Sequence, residues 1–130
     1  MKGQLQEVIK KDLTLKDKLH KMAETLRNCT NLKQGTYLFY QKHLDGSETY
    51  CAMGALGFRA GIPKNVLEKQ PYELVLRKYG ITESEESTLV RTPKLHEYVP
   101  RTRALGDAIW WMNDFGKSYN EIADWLDRVI

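Results

Sequence analysis

Cys51 is the residue whose type and position best suit nucleophilic chemistry. It lies where a predicted hairpin leads into a predicted helix, and the backbone N–H groups and dipole at a helix N-terminus lower the pKa of a thiol. A cysteine nucleophile also needs a base, which Asn113 or Asp114 is suited to orient. The candidate bases are the three histidines of the chain, His20, His43 and His96. One hypothesis is therefore a cysteine-dependent enzyme with Cys51, Asn113 and Asp114 as catalytic residues.

The segment from Cys51 to Ala60 also supports other interpretations of that cysteine. Gly54 and Gly57 lie in an apolar run that predicts a buried central helix, although a glycine inside a helix costs about 1 kcal/mol relative to alanine. We expect the close approach of another backbone to offset that cost. A small thiol suits such a tightly packed helix, so Cys51 is a nucleophile, a redox sensor or a core residue. Cys29, near a helix end, is predicted to be inert.

The predicted helix over residues 103–114 places Trp110 away from its core face. That core face has apolar residues at helical spacing, namely Leu105, Ala108, Ile109 and Met112. The sequence therefore predicts a platform for a protein partner or a planar ligand, formed by Trp110, Asp107, Arg103 and Asn113, beside the gap that Gly106 leaves. In the alternative interpretation, residues 81–100 fold over Trp110 and bury it. Asn113 and Asp114 also suit a helix end before Gly116 without any functional role.

The excess of positive charge lies at the beginning of the chain. The formal net charge is +3, and residues 1–27 carry seven basic and four acidic side chains, which accounts for all of it. Because a basic helix attracts phosphate, weak nucleic-acid binding is one alternative function, through Lys10, Lys11, Lys18 and Lys21. The other interpretation is a solvated helix face. Asp124 and Asp127 on the last predicted helix disfavour a DNA-reading helix–turn–helix, since carboxylates repel phosphates.

Composition and spacing exclude several classes of protein and site. The 130 residues are 42% hydrophobic and 28% charged, a balance typical of one globular domain. The longest apolar stretch, Cys51–Phe58, is shorter than the roughly 20 residues of a membrane span, and two cysteines do not make a secreted disulfide framework. We therefore expect a cytoplasmic protein that contacts no membrane. Paired metal-ligand spacings and glycine-rich phosphate loops are missing, so we expect neither a metal site nor a cofactor.

Periodicity and capping signals predict a mainly α (α+β) fold, a compact helical domain with one small β-hairpin. Helices are predicted over residues 14–28, 51–60, 71–79 and 103–114 and from residue 118 onward, where the last two form a helix–turn–helix corner. The hairpin is predicted over residues 36–50 around Asp45-Gly46. Residues 1–130 are expected to form a single domain, with residues 1–13 as a loose N-terminal arm and residues 81–100 as a long irregular connection.

Two segments of the chain carry a recognisable pattern. The first is Gln34-Gly35 with Cys51-Ala52-Met53-Gly54-Ala55-Leu56, and the second is Trp111-Met112-Asn113-Asp114 with Ser118, Glu121-Ile122 and Leu126. Together they resemble a small family of unknown function from bacteria, notably actinobacteria, and their phages, which has Cys-x-x-Gly-Ala-Leu and Trp-(x)-Asn-Asp segments. The chain departs from the pattern by having Met112 after Trp111, and Tyr37 or Phe39 where the family often has tryptophan.

The resemblance covers residues 15–61 and 104–130 and implies that the two segments belong to one site or one packing core. It also implies a phage or mobile-element origin, but it assigns no activity. The favoured interpretation is therefore a small non-enzymatic interaction or regulatory module for a protein partner. The cysteine-dependent enzyme and the weak nucleic-acid binder remain open as alternatives.

Overall fold

The structure, a computed structural model, describes residues 13–130, which form a mainly helical α+β fold with two small sheets. Residues 1–12, which include Lys10, Lys11 and nearly all of the predicted N-terminal arm, lie outside the described residues. The elements in chain order are α1 (Leu15–Arg27), β1 (Lys33–Gln34), β2 (Gln41–Lys42), β3 (Glu48–Tyr50), α2 (Ala52–Arg59), α3 (Lys64–Leu67), α4 (Tyr72–Lys78), α5 (Glu83–Glu86), β4 (Leu89–Arg91), β5 (Thr102–Ala104), α6 (Leu105–Asp114) and α7 (Tyr119–Arg128).

Helices α1 and α7 pack against each other from opposite ends of the described chain. Thr14 and Ser118 begin them with capping boxes, as the sequence predicted. The Arg27 guanidinium pairs with Asp124 at 2.7 Å and with Asp127 at 2.6 Å, so these acids join two helices. Each helix buries an apolar stripe: Leu19, Met22 and Leu26 in α1, and Ile122, Trp125 and Leu126 in α7.

Helix α2 lies at the centre of the fold and is buried from Ala52 to Gly57. A Cβ atom added to Gly54 would lie 1.6 Å from the backbone oxygen of Phe39, so only glycine fits there. At Gly57 the space is filled by the side chains of Leu67 and Val75. The predicted close approach of another backbone to this helix is therefore confirmed at Gly54.

The predicted hairpin exists, but it is shorter than the sequence indicated. Strands β2 and β3 pair antiparallel around the turn that contains Gly46, whose φ is +86°. Residues 36–40, predicted as a strand, are irregular, because Tyr37 has a φ of +67° that breaks the extended backbone. Strand β1 pairs parallel with β3 instead, which gives the sheet order β1-β3-β2.

Residues 81–100 contain more regular structure than their composition predicted. Thr82 and Glu85 form a capping box that starts the one-turn helix α5. Strand β4 then pairs antiparallel with β5, with Val90 opposite Arg103. The segment is not one irregular connection, because the Thr82 capping box orders α5 and the pairing with β5 orders β4. Within residues 13–130, none of the helices combines the length and the apolarity needed to cross a membrane.

The last two helices form the predicted corner. Gly116 ends α6 with a φ of +93°, which is a left-handed conformation that favours glycine. Asn113, near the end of α6, contacts β1 through Gln34 and α2 through Ala52.

Candidate functional site

Cys51 is the N-cap of α2, and its sulfur accepts a hydrogen bond from the backbone N–H of Gly54 at 3.4 Å. The side chain is fully buried, and that burial raises the pKa of the thiol to about 11 despite the helix N–H groups around it. The expectation of a lowered pKa is therefore wrong, since desolvation outweighs the helix terminus. Cys51 is a capping residue of the core, and Cys29, whose pKa burial also raises, is buried as well.

Asn113 is 1% exposed and connects α6 to two other parts of the fold. Its Oδ1 accepts hydrogen bonds from Gln34 Nε2 at 2.7 Å and from the backbone N–H of Ala52 at 2.9 Å. Its Nδ2 donates to the backbone oxygen of Gly35 at 2.9 Å. The amide of Asn113 is enclosed and its hydrogen bonds are internal, which argues against the predicted catalytic and partner-binding roles of this residue.

The three histidines do not assemble around the cysteine. His20 bonds to Asp127, His43 bonds to Thr49 at 2.9 Å, and the His96 ring lies 6.3 Å from the ring of Phe115. Within the described part of the chain, no histidine hydrogen-bonds to Cys51, and no group of three or more His, Cys, Asp or Glu side chains is arranged to hold a metal ion. Asn113 lies beside Cys51 through its bond to Ala52, but no histidine of the described residues joins them, so the enzyme hypothesis lacks its base.

The predicted nucleic-acid face loses part of its charge to an internal ion pair. Lys18 Nζ lies 2.7 Å from Glu85 Oε1, and only 13% of the Lys18 side chain is exposed. Lys21 is exposed. Of the four lysines in that prediction, Lys18 cannot contact phosphate without breaking its pair with α5.

Trp110 lies among aromatic side chains rather than in a polar stripe. Its ring meets that of Trp111 edge-on at 5.8 Å, and Trp111 stacks on Phe115 at 5.4 Å. The Arg103 guanidinium lies 4.0 Å above the Trp111 ring, a cation–π distance. We call Tyr37, Trp110, Trp111 and Phe115 the aromatic surface. Segment 81–100 contributes only to its edge, where His96 approaches Phe115.

Two cavities open on either side of Trp110. One has a volume of about 250 Å³ and is lined by the aromatic surface together with Asp114. The other has a volume of about 240 Å³ and is lined by Trp110 with Phe39, Gln70, Tyr72 and Asp107. Each cavity thus combines aromatic walls with one carboxylate, and Trp110 forms the wall between them.

The loops that complete these cavities hold two non-glycine residues in left-handed conformations. Tyr37 has a φ of +67° and Gln70 a φ of +57°. The Gln70 side chain accepts from the Phe39 backbone N–H at 2.7 Å and donates to the Tyr37 backbone oxygen at 3.1 Å. Asp114 Oδ1 accepts from the Tyr37 backbone N–H at 2.8 Å. Backbone strain of this kind clusters at binding and switch sites, where the surrounding structure enforces it.

The second cavity depends on Gly106. A Cβ atom on Gly106 would lie 1.9 Å from Tyr72 Oη, so the glycine makes room for the Tyr72 ring. Tyr72 Oη in turn donates to Asp107 at 3.3 Å, and burial followed by the Asp107 charge raises the pKa of that phenol. The gap predicted beside Trp110 is therefore filled by a tyrosine from α4.

Two buried donors at this site have no hydrogen-bond partner among residues 13–130, namely Trp110 Nε1 and Arg103 Nε. A buried donor without a partner costs about 1–3 kcal/mol, and natural proteins keep few of them. Trp110, Asp107 and Arg103 were predicted from the sequence. Tyr37 and Phe39 were not predicted as site residues, and their signal was the high aromatic content of residues 36–40. Gln70 and Tyr72 were also missed, because no local pattern marks them.

Comparison of the chain with models of protein families, with curated proteins and with solved structures yields no match. The resemblance to the bacterial and phage family therefore remains a prediction.

Proposed function

We propose that the protein is a non-enzymatic interaction module, which binds an extended, proline-containing peptide segment of a protein partner across Trp110. The observation that carries this proposal is the pair of adjacent cavities of about 250 and 240 Å³ that share Trp110 as a wall. Polyproline II segments dock into grooves lined by aromatic side chains, since they are rigid before binding and lose little entropy. In such a helix, prolines three residues apart lie on one side, and each would occupy one cavity.

The charges of the two cavities favour a basic peptide. Asp107 contributes a carboxylate to one cavity and Asp114 a carboxylate to the other. Asp107 is exposed, and in the described part of the chain neither carboxylate pairs with a lysine or arginine within 4.0 Å. A lysine or arginine beside the prolines would therefore find an uncompensated partner at either end of the groove.

Preformed geometry supports binding rather than catalysis at this surface. The bonds that hold Tyr37 and Gln70 in strained conformations fix the walls before a ligand arrives, and pre-organised walls reduce the entropy lost on binding. The enzyme alternative is weaker because Cys51 is fully buried and its thiol pKa is raised. Tyr37, which is 65% exposed, leaves a large aromatic face for contact.

The test is a fluorescence-polarisation titration with labelled peptides that carry a Pro-x-x-Pro core flanked by arginine or, as a matched probe, by glutamate. We expect the arginine-flanked peptide to bind, and Trp110→Ala to weaken binding at least about tenfold. Tyr98→Ala is the matched control, because Tyr98 is 82% exposed and lines neither cavity. Trp110→Phe keeps the core filled if the alanine variant does not fold.

Charge variants test the preference for a basic peptide. Asp107→Asn combined with Asp114→Asn removes both cavity carboxylates and should abolish the discrimination between the arginine and glutamate flanks. Equal binding by Trp110→Ala and Tyr98→Ala, or a preference for the glutamate-flanked peptide in the unaltered protein, would show that the proposal is wrong.

A further inference from the structure

We infer that a separate cavity, on the side of the molecule formed by β4, β5 and the end of α7, binds the phosphomonoester group of a small molecule. We call it the arginine cavity, because Arg91, Arg101 and Arg128 line it together with Thr92 and Trp125. Its volume is about 350 Å³, which exceeds that of either cavity beside Trp110. The proposal does not depend on the function proposed for Trp110, since the two sites share no lining residue.

Hydrogen bonds fix the Arg101 side chain and the backbone of Arg91. Arg101 Nε donates to the backbone oxygen of Thr92 at 3.0 Å. The backbone N–H of Thr92 donates in turn to the backbone oxygen of Arg101 at 2.7 Å. The four N–H groups on the two terminal nitrogens of that guanidinium remain for a ligand. Trp125 Nε1 donates to the backbone oxygen of Arg91 at 2.9 Å, which anchors the end of β4 on α7.

The positive charge of the arginine cavity is not compensated by the protein. Its lining contains no carboxylate, and among residues 13–130 none of the three arginines has a carboxylate oxygen within 4.0 Å. The acids of α7 are paired elsewhere. Asp124 and Asp127 pair with Arg27, and Glu121 lies 3.9 Å from Lys117. Three guanidinium groups around one cavity repel one another, and a bound dianion relieves that repulsion.

The chemistry of the lining points to a phosphate group. Guanidinium is planar and donates in a fork that matches two phosphate oxygens, and such charge-assisted bonds are stronger than neutral ones. Pro93 and Val129 add apolar surface for an organic group next to the phosphate. A dianionic phosphate ester with a small organic group therefore fits both the arginines and the apolar residues of the lining.

The surroundings favour a small molecule over a nucleic-acid strand. The neighbouring cavity of about 270 Å³ shares Arg128 and Pro93, and its other charged lining residues are Lys117, Glu121 and Asp124. A polyanion that followed the surface beyond the arginine cavity would meet these carboxylates. On this side, the positive region is thus interrupted by carboxylates and does not form a continuous track.

The test is a nuclear magnetic resonance titration that follows the Nε–H signals of the arginines and the indole N–H of Trp125. Phenyl phosphate and inorganic phosphate are the probes, at fixed ionic strength. We expect phenyl phosphate to shift the Arg101 and Trp125 signals saturably and to bind more tightly than inorganic phosphate. Arg91→Gln and Arg128→Gln should each weaken binding about tenfold, since each removes charged hydrogen bonds. Both side chains are exposed, so both variants should fold.

Lys78→Gln is the matched control, because Lys78 is exposed on α4 and its loss changes the net charge by the same unit. Shifts that never saturate, or equal weakening in Lys78→Gln, would overturn the inference. Equal binding of both probes would overturn the assignment to an organic ester. Tighter binding of a 20-nucleotide single strand, with steep salt dependence, would overturn the assignment to a small molecule.

Discussion

Replacement of Asn113 by alanine should remove a large part of the stability of the fold. Two backbone groups lose their partner, the N–H of Ala52 and the carbonyl of Gly35, whereas Gln34 Nε2 keeps its second bond to the Lys117 backbone oxygen at 2.8 Å. Each unpaired backbone group costs about 1–2 kcal/mol and the lost bond to Gln34 about 1 kcal/mol, so the free energy of unfolding should fall by about 3–5 kcal/mol. Domains of this size have only about 5–15 kcal/mol in total.

Urea denaturation at 25 °C, followed by circular dichroism, measures this loss directly. Asn120→Ala is the matched control, because Asn120 is exposed in the first turn of α7 and its amide makes no hydrogen bond to another residue of 13–130. We expect the control to change the free energy of unfolding by less than about 0.5 kcal/mol. A loss of under about 1 kcal/mol in Asn113→Ala would mean that water or a relaxed backbone replaces the amide, and the reasoning would be refuted.

Further predictions concern α2. Gly54→Ala should prevent folding, because the added Cβ would lie 1.6 Å from the backbone oxygen of Phe39. Ala60→Gly, at the end of the same helix, is the control and should cost at most about 1 kcal/mol of stability. Equal circular dichroism spectra of the two variants would contradict this prediction. Iodoacetamide at pH 8 should modify Cys51 only in urea, because the thiol is buried and its pKa is raised to about 11; fast modification of the folded protein at pH 7 would contradict this. The raised thiol pKa contributes stability that is fully present below pH 9.0. This contribution, about 3 kcal/mol, is lost as the pH rises through about 11. Cys51→Ser should therefore lose less stability than the unaltered protein between pH 8 and 11 in urea titrations, and an equal loss would exclude Cys51 as the cause.

Local signals in the sequence were sufficient for the helices that carry the core. Thr14 and Ser118 are followed three residues later by an acid, and the apolar residues after them recur at helical spacing, so both the beginning and the buried face of α1 and α7 were predictable. Thr82 is likewise followed by an acid, Glu85, at the start of α5. This helix was not predicted, because it is only one turn long and too short to show an apolar repeat. The glycine pattern of α2 likewise indicated a close backbone neighbour, although not that Phe39 provides it.

The candidate site depended on contacts between distant parts of the chain, which no local pattern encodes. The cavities around Trp110 are completed by Tyr37, Phe39, Gln70 and Tyr72, which come from two loops and the start of α4. The pKa of Cys51 is set by burial, and the sequence showed only the helix terminus, which acts in the opposite direction. Strand β1 was missed because two residues, Lys33 and Gln34, become a strand only through their parallel partner β3.

The packing of α1 against α7 has a consequence for the synthesis of the protein. Leu19, Met22 and Leu26 of α1 are covered by α7, which is translated long after them. At about 5–20 residues per second, the roughly 90 residues between the two helices take about 5–20 s to synthesise. During that time the apolar stripe of α1 is open to chaperones or to other nascent chains. The packing of α1 is therefore completed only once α7 has emerged, and a chain whose synthesis stops before α7 has an uncovered helix.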